Sequence, residues 1–116
     1  MKTELTEEQS KHLIDLGVPK EKASEVENGG AGNEVDKYIY TFTLTDILDI
    51  LPKEIEYKGD IYYFRLDWRR TIQYDVEYIS LEGIYLDSNF SHADELIDAL
   101  YELLCWVIEN GHLKFD

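Results

Sequence analysis

The stretch at residues 91–110 constrains the fold more than any other. Ala93, Leu96, Ile97, Leu100, Leu103, Leu104, Val107 and Ile108 recur every three or four residues, the spacing of one helix face. Asp94, Glu95, Asp98, Glu102 and Glu109 fall on the other side. Ser91 and Asp94 have the pattern of an N-cap and its capping-box partner, and Gly111 suits the position after a last turn. The spacing predicts a helix of about five turns. One side of it is too apolar to face water, so it must close over another layer.

The partner layer is predicted just upstream. Tyr62, Phe64, Leu66 and Trp68 alternate with other residues, and Ile72, Tyr74, Val76 and Tyr78 alternate with Gln73, Asp75 and Glu77. A period of two with one wet side is the mark of antiparallel strands. Lys58-Gly59-Asp60, Arg69-Arg70 and Glu82-Gly83 read as turns, and Ile84-Tyr85-Leu86 as a short last strand. Tyr38, Tyr40 and Phe42 predict one more strand. Thr43 and Asp46 then open a two-turn helix that Pro52 ends.

The N-terminal part reads as a helical arm. Thr6 and Gln9 form a capping box, and Gly17 suits the helix stop. Pro19 would start a second short helix over residues 20–26. Residues 28–33, NGGAGN, read as a flexible loop. The predicted organisation is one α+β domain over residues 1–116. It comprises a helical arm at 1–27, a flexible loop at 28–33, and a body at 34–116. In that body the long C-terminal helix packs across an antiparallel sheet of about four strands.

Charge narrows the function. Eleven bases against 25 acids give a net charge of −14, a field that repels phosphate backbones and anionic lipid. Direct nucleic-acid or membrane binding is not expected. The N-terminus lacks the apolar core of a signal peptide, and one cysteine cannot close an internal disulfide; a cytoplasmic protein is expected. Residues 71–113 hold nine acids and no Lys or Arg, so an acidic face is expected there.

Catalytic chemistry needs convergent groups, and the motifs for it are missing. His12, His92 and His112 belong to no HExxH-type spacing. His92 is expected in the first turn of the last helix. Cys105 sits beside Glu102 and Glu109, a setting that weakens a nucleophile, and reads as a small filler at the core edge or at an interface. The glycines at 29, 30 and 32 lack the Lys-Ser/Thr of a phosphate loop. No catalytic, cofactor or metal residues are assigned, and the chain is expected not to be an enzyme. The aromatics point elsewhere. Tyr62-Tyr63-Phe64 places rings on both faces of one strand, and such residues dominate contact surfaces. Trp106 flanks the apolar stripe, where it either caps the core edge or reaches a partner.

Three stretches, LTEEQSKHLIDLGVPKEKA, FTLTDILDILPKEI and ELIDALYELLCWVIENGHLKF, resemble in order an uncharacterised family of small acidic proteins of Bacteroidetes phages and mobile elements. The resemblance implies a bacterial cytoplasm and an accessory gene, and no activity. The expected function is a non-catalytic protein-interaction or accessory protein. Tyr63, Trp106, Asp94, Glu95, Asp98 and Glu102 are the expected partner-binding residues. The partner would be a protein, a basic one if the acids make the contact; a homodimer is compatible with the sequence. The alternative is an acidic inhibitor, a nucleic-acid mimic or immunity-type protein, docking on a basic surface.

Overall fold

The computed structural model describes residues 1–28, 38–69 and 73–115. Its architecture is α+β. Four strands, β3 (Glu54–Tyr57), β4 (Asp60–Arg69), β5 (Gln73–Ile79) and β6 (Tyr85–Ala93), form an antiparallel meander in that order. The helices are α1 (Glu7–Asp15), α2 (Leu44–Ile50) and α3 (Leu96–Glu109), and α3 lies across β5 and β6. A second sheet pairs β1 (Glu25–Asn28) with β2 (Tyr38–Thr41) beside α1. No helix among the described residues is long and apolar enough to cross a membrane.

Local chemistry explains most boundaries. Thr6 and Thr43 cap α1 and α2 with complete capping boxes through Gln9 and Asp46. Lys58 and Gly59 both take positive φ, 51° and 85°, as a two-residue hairpin turn twisted to match its strands requires. Burial then fixes the layers. Leu96, Ile97, Leu100, Leu103, Leu104 and Val107 of α3 are buried in one core with Val76, Tyr78, Leu86 and Ile55 of the sheet. Each large aliphatic side chain so buried contributes about 1.5–3 kcal/mol before chain entropy is counted.

Three expectations are corrected. Residues 20–26 are not a second helix: a single 3₁₀ turn, Lys20–Lys22, leads into β1. The chain is drawn straight at Ser24, whose backbone N–H donates to Asp46 at 2.8 Å and whose hydroxyl donates to the same carboxylate. Ser91 does not cap the last helix, and the last strand is not short. Tyr85–Ala93 runs nine residues as β6, because Tyr74, Asp75, Val76 and Glu77 of β5 pair with Ala93, His92, Ser91 and Phe90. His92 therefore belongs to a strand. The last helix begins at Leu96, spans 14 residues, and has Glu95 at its N-cap with no side-chain cap bond. The glycine-rich loop expected at 28–33 lies, beyond Asn28, outside the described residues, as do Arg70 and Ile72.

The N-terminal segment is sewn to the body. Leu44 N–H donates to Thr3 O at 2.8 Å, and Leu5 N–H to Phe42 O at 2.9 Å. Lys2 reaches α3. Its backbone N–H donates to Glu95 at 2.9 Å and its ammonium to Asp98 at 2.7 Å. The molecule measures 57 × 36 × 17 Å, with a radius of gyration of 15.7 Å. A compact chain of this length would have about 13 Å. The excess reflects a thin plate in which helices cover one side of the sheet.

Candidate interaction surface

Strand alternation separates two faces. Tyr62, Phe64, Val76 and Tyr78 point toward the helices. Ile61, Tyr63, Arg65, Glu77 and Ile79 therefore point away. Direct cross-strand pairing aligns Glu54, Tyr63, Ile79 and Tyr85 in one row across all four strands. Ile61 (42%), Tyr63 (36%) and Tyr85 (37%) are substantially exposed on this face. The turn after β5 adds Leu81 at 86% and Ile84 at 60%. A shallow groove of about 250 Å³ runs between the two turns at this end, lined by Gly59, Asp60, Ile61, Tyr63, Leu81 and Glu82. Its apolar floor is thus bordered by carboxylates, with Glu54 and Glu56 exposed on the adjoining strand.

The same face holds an ion pair whose carboxylate is buried and whose guanidinium is half exposed. Arg65 and Glu77 are direct register partners. Arg65 Nε donates to Glu77 Oε1 at 2.8 Å, and Nη2 lies 2.6 Å from the same oxygen. The guanidinium also donates to the Tyr85 hydroxyl at 3.5 Å.

The expected contact residues do not form one surface. Tyr63 lies on the outer sheet face. Trp106 is half-buried against the core, its ring 5.3 Å from that of His112, which in turn meets Tyr57 edge-on at 5.4 Å. Asp94 and Glu102 are exposed. Glu95 and Asp98 instead hold Lys2, and Gln9 also donates to Asp98 at 3.1 Å. Burial pushes the Asp98 carboxyl up, but the bonds from Lys2 and Gln9 and the Lys2 charge outweigh it and leave the pKa lowered. Ile61, Leu81, Ile84 and Tyr85 were not expected at a surface site. Their signal was available in the sequence, since Leu81 and Ile84 flank a Glu-Gly turn.

A second group lies between helices. His12 in the last turn of α1, with Cys105 and Glu109 of α3, places an imidazole nitrogen, a thiol sulfur and a carboxylate oxygen all within 4.8 Å of one another. Cys105 is buried, whereas His12 and Glu109 are exposed. Burial pushes the thiol up to about 11, with Glu109 and Glu102 adding to the rise and a hydrogen bond with Tyr101 opposing it. The His12 ring meets Tyr101 edge-on at 6.2 Å.

Comparison with known proteins returns no relative: no family model, no curated protein and no solved structure matches the chain.

Proposed function

We propose that this chain is a non-catalytic interaction protein that binds a basic protein partner through the outer face of its sheet. The observation that carries this function is the row of Tyr63, Ile79 and Tyr85, whose two tyrosines are substantially exposed, with exposed Ile61, Leu81 and Ile84 beside it. Exposed aromatic and aliphatic side chains grouped within a polar rim are typical of contact surfaces. The rim chemistry selects the partner. Asp60 and Glu82 line the groove, Glu54 and Glu56 are exposed on the adjoining strand, and the chain carries a net charge of −14. A second copy would bring the same charge, whereas a basic segment is attracted. The resemblance to phage and mobile-element proteins supports an accessory role in a bacterial cytoplasm.

The alternative function is an acidic inhibitor that contacts its target through carboxylates alone. The run of residues 71–113 without Lys or Arg, in which Glu82, Asp94, Glu102 and Glu109 are exposed, favours it.

Side-by-side capture from the host with the wild-type chain and the Tyr63→Ala and Leu81→Asp variants tests both. The purified partner is then titrated at two salt concentrations. The proposal expects a partner that wild type retains, that both variants lose, and whose affinity falls only modestly with salt. Equal binding by both variants, with steep salt weakening, would establish the acidic inhibitor instead. Concentration-dependent light scattering that shows a dimer broken by Tyr63→Ala would overturn the proposal in favour of self-association.

A further inference from the structure

We propose that α1 and α3 jointly bind one zinc-class divalent ion, with His12, Cys105 and Glu109 as its protein ligands. The three ligand atoms lie within 4.8 Å of one another. Around a tetrahedral ion with bonds of 2.0–2.3 Å, ligand atoms stand about 3.3–3.7 Å apart. Small side-chain rotations close that difference. Cys105 and Glu109 are four residues apart on one helix and so project from the same side. His12 comes from the other helix, and the two helices are aligned independently of any metal. Gln9 of α1 donates to Asp98 two turns up α3, where Lys2, just before α1, also donates.

The donor set selects the ion. A thiolate and an imidazole favour zinc over magnesium or calcium, which prefer all-oxygen shells. One thiolate, one carboxylate and a neutral imidazole balance a 2+ ion, and the chain's negative field concentrates cations around it. When the metal–sulfur bond forms, the thiol proton leaves to solvent. Tyr101, hydrogen-bonded to Cys105, supplies the outer-sphere contact that such ligands commonly have. His12 and Glu109 are exposed, so the fourth position opens to water. The bound ion would tie the N-terminal helix to the C-terminal one.

Cobalt(II), added to the full chain, is the probe. The expected result is a thiolate-to-cobalt charge-transfer band that saturates at one ion per chain and that zinc displaces. Cys105→Ser abolishes the band. His12→Gln and Glu109→Gln, both exposed and compatible with folding, weaken binding by at least the roughly 10–100-fold that loss of an outer-sphere partner costs. Zinc also raises the Tm of wild type, because it binds only the folded chain, and leaves that of Cys105→Ser unmoved. Absence of the band, one ion per two chains, or unchanged affinity in both His12→Gln and Glu109→Gln overturns the site.

Discussion

Arg65 lays its guanidinium over Glu77, its direct partner across the β4–β5 ladder, and the Glu77 carboxylate beneath it is left only 2% exposed as a residue. A carboxylate so enclosed depends on its cation. Arg65→Ala is expected to cost about 1–3 kcal/mol, with half-exposure of the Arg65 side chain placing it toward the lower end. Adding Glu77→Leu should recover most of the loss, because the orphaned charge is gone. Urea unfolding of the two variants checks this; no recovery in the double variant would refute the assignment.

Tyr78 is fully buried, and its hydroxyl donates to Pro52 O at 2.6 Å. Burial raises the pKa of that hydroxyl, so it stays a donor at every ordinary pH. Tyr78→Phe keeps the ring and its edge contact with Phe64 but strands the carbonyl. The expected loss is about 1 kcal/mol, read as a lower urea midpoint with an unchanged slope.

Asp98 predicts an acid-side weakening. Its folded pKa lies below the usual value of 3.8, so the bonds from Lys2 and Gln9 stabilise the fold above that value. The contribution disappears as pH falls through the folded pKa. Both partners are about one-third exposed, which holds the effect near 0.5 kcal/mol. Asp98→Asn should therefore be less stable than wild type at neutral pH, and the gap should narrow as pH falls below 3.8 and on through the folded pKa. A gap that stays constant across that range would exclude the ion pair as its source.

Asp46 should matter more than an ordinary cap. It accepts from Thr43 N–H at 2.9 Å and from both the backbone and the hydroxyl of Ser24. It joins α2 to the start of β1. Asp46→Ala is expected to cost about 2 kcal/mol, against about 1 kcal/mol for Thr6→Ala, which removes a cap alone. Equal losses in thermal melts would reduce Asp46 to a cap.

What the sequence made legible was local. The Thr-x-x-Gln and Thr-x-x-Asp boxes placed α1 and α2. The Lys58-Gly59 pair placed the first hairpin of the meander, and the alternation at residues 72–78 placed β5. What stayed hidden depended on neighbours. Glu25–Asn28 has no apolar period, and it becomes a strand because β2 and the Asp46 carboxylate hold it. Ser91 and Asp94 imitate a capping box, yet pairing with β5 keeps that stretch extended, since strand membership is decided by cross-strand contact more than by propensity. The acids read onto the last helix have no lysine close to them in sequence, and Asp98 takes its cation from Lys2, 96 residues away. His12 and Cys105 likewise meet only because two helices distant in the chain run side by side.

The two-sidedness of β4 has an evolutionary reading. Tyr62 and Phe64 pack against the core, while Ile61 and Tyr63 alternate with them on the outer face, substantially exposed. Drift at Ile61 and Tyr63 can retune recognition while the Arg65–Glu77 pair beside them is kept. A lineage of such chains could track a changing target while its scaffold stayed the same.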